Sequence, residues 1–129
     1  MITSDNKNGV KISTAIVVDD DYDVVDAFSE YLEIKGIRVL GKGYNGKEAV
    51  DLYKKLKPDV VFLDVIMPDY TGFYALEKIK QINPDAKVIM VTADLTEETE
   101  NKLVDLHASY IAYKPIKVDN MGIIGGKKE

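Results

Sequence analysis

Five short apolar runs alternate along the chain with longer stretches in which apolar residues recur every three or four positions. The runs are rich in β-branched residues and have the length of strands. They occupy residues 14–18 (TAIVV), 37–40 (IRVL), 59–63 (DVVFL), 87–91 (KVIMV) and 110–113 (YIAY). The intervening stretches have the period of helices that pack one face on a core. The pattern predicts five strands that alternate with helices.

Three of the intervening stretches place their apolar residues on one helical face. These sets are Val24, Phe28, Tyr31 and Leu32, then Ala49, Leu52, Tyr53 and Leu56, then Phe73, Leu76, Ile79 and Ile82. The residues that follow these sets and typically end helices are Gly36, Pro58 and Pro84. A fourth helix is predicted over residues 95–106, where Asp94 and Glu97 resemble a capping box.

Strands that are apolar throughout belong in a parallel sheet whose two faces are both covered by helices. The sequence therefore predicts a doubly wound α/β domain over residues 12–115, preceded by a flexible polar lead at residues 1–11. Residues 116–129 should supply a last helix, but three glycines interrupt them, at about 1 kcal/mol each if helical. We expect this final helix to be short or absent, in an atypical glycine-broken tail.

Composition narrows the classes of protein. A chain of 129 residues with 46% apolar residues fits one domain, because two half-sized domains would each bury too little surface. The absence of cysteine excludes disulfides, thiolate catalysis and cysteine-based zinc sites. No signal peptide is evident and no apolar run approaches the roughly 20 residues that cross a bilayer, so we expect a cytoplasmic protein without membrane insertion. A net charge of −5 with scattered lysines argues against direct nucleic-acid binding.

Polar residues follow four of the predicted strands at their carboxyl ends. They are Asp19 and Asp20 after the first strand, Asp64 after the third, Thr92 after the fourth and Lys114 after the fifth. Parallel strands bring these ends to one edge of the sheet, where ligands of open α/β sheets bind. Each residue taken alone also has an ordinary structural role, such as helix capping by an aspartate. The convergence of four strands is what favours a functional site.

The carboxylates at this edge need a compensating charge. If the first and third strands are neighbours, Asp20 and Asp64 repel by about 4 kcal/mol at about 4 Å and an effective dielectric constant of about 20. A bound proton or a hard cation such as Mg²⁺ would offset the repulsion, since Mg²⁺ prefers few carboxylates, a carbonyl and several waters. Lys114 supplies a further positive charge and Thr92 a hydroxyl donor. Such a set suits a transferring phosphoryl group.

The sequence resembles the receiver domain of two-component response regulators in five ordered segments. They are IVVDDD (16–21), GYNGKEAV (43–50), DVVFLDVIMPDYTG (59–72), KVIMVTAD (87–94) and YKP (113–115). The resemblance spans residues 13–115 and is to the stand-alone, single-domain type of receiver. It implies a flavodoxin-like five-stranded parallel sheet of strand order 2-1-3-4-5.

The resemblance also implies a role for each residue on the acidic side of the site. Asp64 would take a phosphoryl group from a phosphohistidine of a sensor histidine kinase or phosphotransfer protein, and the phosphorylated form would alter binding to a downstream protein target. Asp20, Asp64 and the backbone carbonyl of Ile66 would bind Mg²⁺ (or Mn²⁺) directly, with Asp19 acting mostly through water. Such a protein is not an enzyme but a regulator that phosphorylates and slowly dephosphorylates itself.

On the other side of the site, the resemblance implies groups that hold the phosphoryl oxygens. These groups are the Thr92 hydroxyl, the Ala93 backbone N–H and the Lys114 ammonium. The side chains of Ile66 and Asp94 would tune the attack of water on the acyl phosphate.

Three features depart from the family pattern. Ile111 replaces the aromatic residue that usually lies three positions before the lysine, which removes the ring that turns inward when the threonine moves. His107 stands where glycine is common, so we expect a different turn into the fifth strand. The broken tail removes surface through which receivers usually pair or bind targets. We expect a second copy of the chain, in a homodimer, or another partner to cover the apolar surface that is left.

Three other interpretations of the sequence compete with this one. GKGYNG at 41–46 has the form of the dinucleotide fingerprint, but the chain has no room for a substrate domain and the strand-end residues stay unexplained. A haloacid-dehalogenase-like phosphatase would use Asp19 as nucleophile and Asp21 as acid, yet it needs a threonine where Asp23 stands and a late acidic pair where the tail offers Asp119 alone. A degenerate receiver that only binds partners conflicts with the complete acidic, threonine and lysine set.

Overall fold

The computed structural model describes residues 12–114. Its strands are β1 (Thr14–Val18), β2 (Arg38–Gly43), β3 (Val60–Asp64), β4 (Lys87–Thr92) and β5 (Tyr110–Tyr113). Its helices are α1 (Tyr22–Ile34), α2 (Gly46–Leu56), α3 (Gly72–Ile82) and α4 (Glu97–Asp105). Every strand and helix predicted within this range is present. In this part of the chain no helix has the length and apolar character needed to cross a membrane.

The five strands form one parallel sheet of order β2-β1-β3-β4-β5. This confirms the predicted doubly wound, flavodoxin-like α/β fold and its strand order. Val61 of β3 pairs with Ile16 of β1 on one side and with Val88 of β4 on the other, so the carboxyl ends of these strands lie side by side. The predictions of a polar lead, a glycine-broken tail and a short or absent last helix fall outside the described residues.

Alternate residues of the central strand β3 pack on opposite faces of the sheet. Val61 belongs to a core that α2, α3 and α4 cover, whereas Phe62 packs on the other face with Val25 and Leu32 of α1. All five residues of β3 are buried. A charged group is costly in such a strand unless it has partners, so the carboxylate of Asp64, the last residue of β3, needs them.

A polar side chain caps the start of each described helix. The caps are Asp21 for α1, Asn45 for α2, Thr71 for α3 and Thr96 for α4. The predicted capping box of Asp94 with Glu97 is wrong, because α4 begins at Glu97 itself. Thr96 accepts the capping hydrogen bond, which the Thr99 N–H donates at 3.3 Å.

Two residues predicted to lie on buried helix faces are exposed. Val24 and Ile82 have relative exposures of 40% and 44%. The buried residues of α1 are instead Val25, Ser29 and Leu32, which follow each other at spacings of four and three. Val24 lies about 100° around the helix from Val25, because an α-helix has 3.6 residues per turn.

Strand β2 continues to Gly43, three residues beyond the predicted end at position 40. Gly41 and Gly43 therefore lie inside the sheet and allow α2 to pack closely on it. A Cβ atom on Gly41 would lie 2.9 Å from Leu56 Cδ1, and one on Gly43 would lie 3.1 Å from Leu52 Cδ1. A dinucleotide-binding loop needs these glycines in a turn after the strand, so their packing role argues against that interpretation.

Helix α4 ends in a left-handed turn at His107, whose φ is 69°. The His107 N–H donates to the Val104 carbonyl and the Ala108 N–H donates to the Leu103 carbonyl. Glycine commonly fills this position because it has no Cβ atom to strain the turn. The turn into β5 is therefore formed at a conformational cost that a glycine would avoid.

Candidate functional site

The carboxyl edge of the sheet carries an open cleft of about 480 Å³. Its lining residues are Asp19, Asp20, Asp21, Val24, Asp64, Ile66, Ala93, Asp94 and Lys114. The cleft lies between the segments that follow β1, β3, β4 and β5, as the strand order requires. Of the seven residues predicted for the site, Thr92 is the one that does not line the cleft.

Three carboxylates meet on one side of the cleft. One oxygen from each of Asp19, Asp20 and Asp64 lies within 4.8 Å of the others. Asp19 and Asp64 are buried, whereas Asp20 is exposed. The Asp21 N–H donates to Asp19 Oδ1 at 3.0 Å, and the Val65 N–H donates to Asp64 Oδ1 at 2.9 Å. The backbone that follows each strand therefore fixes the orientation of its buried carboxylate.

The Lys114 ammonium lies between the two buried carboxylates. Its Nζ is 3.0 Å from Asp19 Oδ2 and 3.4 Å from Asp64 Oδ1. Burial lowers the pKa of Lys114, but the hydrogen bond to Asp19 and the charges of Asp64 and Asp19 outweigh it, so the net shift is upward. Lys114 is therefore a permanent cation in this site.

The charge of Lys114 does not balance the carboxylates. Burial and the negative charge of Asp19 raise the pKa of Asp64 from 3.8 to about 6, although Lys114 and the Val65 N–H act in the opposite direction. Three carboxylates and one ammonium carry a formal charge of −2. The site therefore favours an additional positive charge near Asp64.

The acidic cluster fits a hard divalent cation. Mg²⁺ binds through a small number of carboxylate oxygens and keeps several waters in its octahedron. Two buried carboxylates beside an exposed Asp20 offer oxygen ligands and leave the outer side of the cluster open to water. The raised pKa of Asp64 also favours a bound cation, because a cation beside this carboxylate would stabilise its ionised form.

Thr92 and Ala93 lie at the end of β4, on the other side of Asp64. Thr92 is only 1% exposed, and its Oγ1 accepts a hydrogen bond from the Asp94 N–H at 2.9 Å. Ala93 is exposed and lines the cleft. The Lys114 N–H donates to the Thr92 carbonyl at 2.9 Å, so the backbones that carry the threonine and the lysine are tied together.

Gly72, the first residue of α3, packs against the backbone of Asp64 and Val65. No role was predicted for it from the sequence. Its N–H donates to the Val65 carbonyl at 2.9 Å. A Cβ atom at this position would lie 2.1 Å from the Asp64 carbonyl oxygen and 2.8 Å from Val65 Cα. The sequence signal was a glycine directly after the helix-capping Thr71, at a position where helices do not favour glycine.

Asp21 caps α1 and lines the cleft at the same time. Its Oδ1 accepts hydrogen bonds from the Asp23 N–H at 3.0 Å and from the Val24 N–H at 3.3 Å. A phosphatase of the dehalogenase type would need this carboxyl as a proton donor. The two bonds hold this side chain against the first turn of α1 instead, which is the ordinary role of a helix cap and argues against the phosphatase interpretation.

The fold and the site together define a class of protein. It is a flavodoxin-like α/β domain with an acidic, lysine-containing site at the ends of its central strands. The family described as the response regulator receiver domain matches residues 15–123. The chain belongs to this family and is a receiver domain of two-component signalling.

Individual relatives agree with this assignment. The chain is 36% identical to Protein CcdB of Bacillus subtilis (strain 168) and 31% identical to Chemotaxis protein CheY of the same strain. Each match spans 106 residues, which is 82% of this chain and 88% of the relative. Among solved structures, the CheX–CheY complex with BeF₃ and Mg²⁺ from Borrelia burgdorferi matches with a TM-score of 0.78 and 27% identity, over 85% of this chain and 83% of that one.

Proposed function

We propose that Asp64 accepts a phosphoryl group from a phosphohistidine, and that the phosphorylated form changes how this receiver domain binds a downstream protein. The observation that carries the proposal is the position of the Asp64 carboxylate. It is buried at the end of the central strand, with Asp19 and Asp20 within 4.8 Å and the Lys114 ammonium at 3.4 Å. A sensor histidine kinase or a phosphotransfer protein is the donor.

In the transfer step, an oxygen of Asp64 attacks the phosphorus atom of the phosphohistidine. A P–O bond forms, the P–N bond breaks, and the imidazole nitrogen keeps the electron pair of that bond. The products are an acyl phosphate on Asp64 and a free histidine on the donor. With a pKa of about 6, the Asp64 carboxyl is mostly ionised at neutral pH and is therefore a competent nucleophile.

Asp19, Asp20, Asp64 and the backbone carbonyl of Ile66 hold Mg²⁺ (or Mn²⁺) beside the nucleophile, with Asp19 acting mostly through water. When bound, the cation neutralises charge on the incoming phosphoryl oxygens. The carboxylates support this assignment, because the hard oxygen atoms of Asp19, Asp20 and Asp64 lie within 4.8 Å of one another. The CheY protein of Borrelia burgdorferi, a structural relative, has been crystallised with Mg²⁺.

The opposite side of the site holds the anion. The Lys114 ammonium pairs with one phosphoryl oxygen, the Thr92 hydroxyl donates to another, and the Ala93 N–H donates as well. These donors offset the charge that leaves the attacking carboxylate, which is how phosphoryl transfer is stabilised in general. The Thr92 side chain is buried and does not line the cleft. It must therefore turn toward the cleft to donate to a phosphoryl oxygen.

In this function the domain does not convert a separate substrate into a product. The domain takes up one phosphoryl group and loses it slowly to water, and its output is a change in affinity for another protein. The CheX–CheY complex supports an output of this kind, since in it a related receiver is bound to a second protein. Side chains at Ile66 and Asp94, which both line the cleft, control the access of water to the acyl phosphate.

Intact-mass spectrometry after incubation with acetyl phosphate and Mg²⁺ tests the proposal. We expect one phosphoryl group on the wild type and none when Mg²⁺ is chelated or in Asp64→Asn. The matched control is Asp69→Asn, which changes an exposed carboxylate of the following loop that does not line the cleft, and which should be labelled like the wild type. Undiminished labelling of Asp64→Asn would refute the assignment.

A further inference from the structure

The loop between β3 and α3, residues 65–71, carries one of the proposed metal ligands, the backbone carbonyl of Ile66. Its first half is anchored in the core, because the side chains of Val65 and Met67 are buried on either side of Ile66. Ile66 itself is 63% exposed and lines the cleft. The second half lacks such an anchor, since residues 68–70 are exposed. The contacts that hold this second half therefore help to decide where the Ile66 carbonyl lies.

Two glycine backbones hold the far end of this loop. The Gly72 N–H donates to the Val65 carbonyl at 2.9 Å, which closes the loop on its own start. The N–H of Gly46, the first residue of α2, donates to the Tyr70 carbonyl at 2.7 Å. The N–H groups in the first turn of a helix have no partner within the helix, so this one is available to a neighbouring carbonyl. The start of α2 is thereby joined to the loop that carries Ile66.

The contact between α2 and the loop leaves no space for a side chain at position 46. A Cβ atom on Gly46 would overlap the Thr71 carbonyl oxygen and would lie 2.7 Å from the Tyr70 carbonyl oxygen. Both oxygens belong to the backbone, so they cannot turn aside as the end of a flexible side chain can. Any other residue at this position must displace either α2 or the loop.

The first turn of α2 is itself firmly held. Asn45 caps the helix by accepting a hydrogen bond from the Glu48 N–H at 2.9 Å, and the Glu48 carboxylate accepts one from the Tyr44 N–H at 2.8 Å. Ala49, one residue further along, is fully buried in the core. Because these contacts fix the start of the helix, a side chain added at position 46 would displace the loop rather than α2.

We propose that Gly46 is a positioning residue of the metal site. Its close contact with Tyr70 and Thr71 holds the loop where the Ile66 carbonyl can bind Mg²⁺. The inference rests on the proposed function. Mg²⁺ demands near-ideal octahedral geometry, so a small displacement of one ligand oxygen weakens binding. Gly46 does not line the cleft and acts through the loop alone.

Calorimetric titration of the unphosphorylated protein with MgCl₂ tests this role. Gly46→Ala should weaken Mg²⁺ binding by about tenfold, the lower end of the loss expected when a group that orients a metal ligand is altered. The matched control is Gly41→Ala, whose Cβ atom would lie 2.9 Å from Leu56 Cδ1 of the same helix. That contact is with the end of a flexible side chain and not with the loop, so Gly41→Ala should bind Mg²⁺ like the wild type.

A milder pair of variants decides the question if Gly46→Ala does not fold. Asn45→Ala removes the cap and lets the first turn of α2 fray, whereas Asn45→Ser keeps a capping oxygen. Asn45→Ala should therefore bind Mg²⁺ more weakly than the wild type, and Asn45→Ser should bind it equally well. Equal affinities of both variants and the wild type would overturn the proposal.

Labelling with acetyl phosphate separates a metal effect from a general loss of structure. Gly46→Ala should need about ten times more Mg²⁺ than the wild type for half-maximal labelling, yet reach the wild-type extent at saturation. An extent that stays low at saturating Mg²⁺ would show a general loss of structure and overturn the proposal.

The titrations also distinguish failure of this inference from failure of the proposed function. If the wild type binds Mg²⁺ and Gly46→Ala binds it as tightly, the positioning role is wrong while the proposed function stands. If the wild type binds no Mg²⁺, the metal site of the proposed function fails and the role of Gly46 fails with it.

Discussion

Removing the charge of Asp64 should stabilise the protein when no divalent cation is present. The carboxylate is buried within 4.8 Å of two other carboxylates, and its pKa is raised from 3.8 to about 6 by burial and by the charge of Asp19. A change of this size corresponds to about 3 kcal/mol at neutral pH, since each tenfold change in proton affinity is about 1.4 kcal/mol. Asp64→Asn keeps the shape of the side chain and removes this penalty.

The pH dependence has a definite sign. In the unfolded chain Asp64 ionises near pH 4, and in the folded protein near pH 6, so the folded state binds the extra proton between these values. The penalty is absent below pH 4, grows as the pH rises, and is complete above pH 6 to 7. The stability advantage of Asp64→Asn should therefore be about 3 kcal/mol at pH 7, roughly 10 °C in Tm, and should vanish toward pH 4.

Urea unfolding of the wild type and Asp64→Asn, at pH 7 and at pH 4 in the presence of EDTA, measures this difference. Mg²⁺ should then raise the stability of the wild type at pH 7 by mass action and leave that of Asp64→Asn nearly unchanged. The difference in unfolding free energy between the two proteins should therefore become smaller. Asp69→Asn serves as the control for a charge removed outside the cleft. Equal stabilities at pH 7, or a gap that widens as the pH falls, would show that the electrostatic account of Asp64 is wrong.

Three further substitutions test backbone strain, an unpaired buried hydroxyl and close packing by thermal or urea unfolding. His107→Gly relieves the left-handed turn at φ 69° and should stabilise the protein by about 1 kcal/mol, whereas His107→Ala should not; an equal gain from both would contradict the reasoning. Ser29→Ala removes a buried hydroxyl that has no hydrogen-bond partner within residues 12–114, and should stabilise the protein by about 1 kcal/mol. A loss of stability would show that the hydroxyl does have a hydrogen-bond partner. Gly72→Ala places a Cβ atom 2.1 Å from the Asp64 carbonyl oxygen and should destabilise by about 2 kcal/mol or more; a neutral effect would mean that the backbone there yields easily.

The fold could be predicted because its signals are local and repeated. Residues 59–63 read as a strand buried on both faces, and β3 is buried throughout. The strand order came from the resemblance to receivers, since periodicity alone does not say which parallel strands are neighbours. The error at Val24 has a simple origin: it and Val25 are adjacent apolar residues, and only contact with the sheet decides which of the two is buried.

The site could be predicted as a set of residues but not as a geometry. Strand-end positions indicated that Asp19, Asp64 and Lys114 would converge, and the distances of 3.0 and 3.4 Å agree. The sequence did not reveal that Asp94 bonds to Thr99, because side-chain bonds across a loop depend on where the helix begins. The predicted capping box was misleading here, because it paired Asp94 with Glu97, whereas Asp94 bonds to Thr99.

The most direct test of the central claim is to identify the phosphorylated residue itself. Borohydride reduces an acyl phosphate on aspartate to homoserine and leaves free carboxylates unchanged, so peptide mass spectrometry after labelling with acetyl phosphate and Mg²⁺ locates the modification. We predict homoserine at position 64 and unmodified aspartate at positions 19 and 20. Homoserine at position 19 with Asp64 intact would contradict the account and favour a phosphatase-like nucleophile.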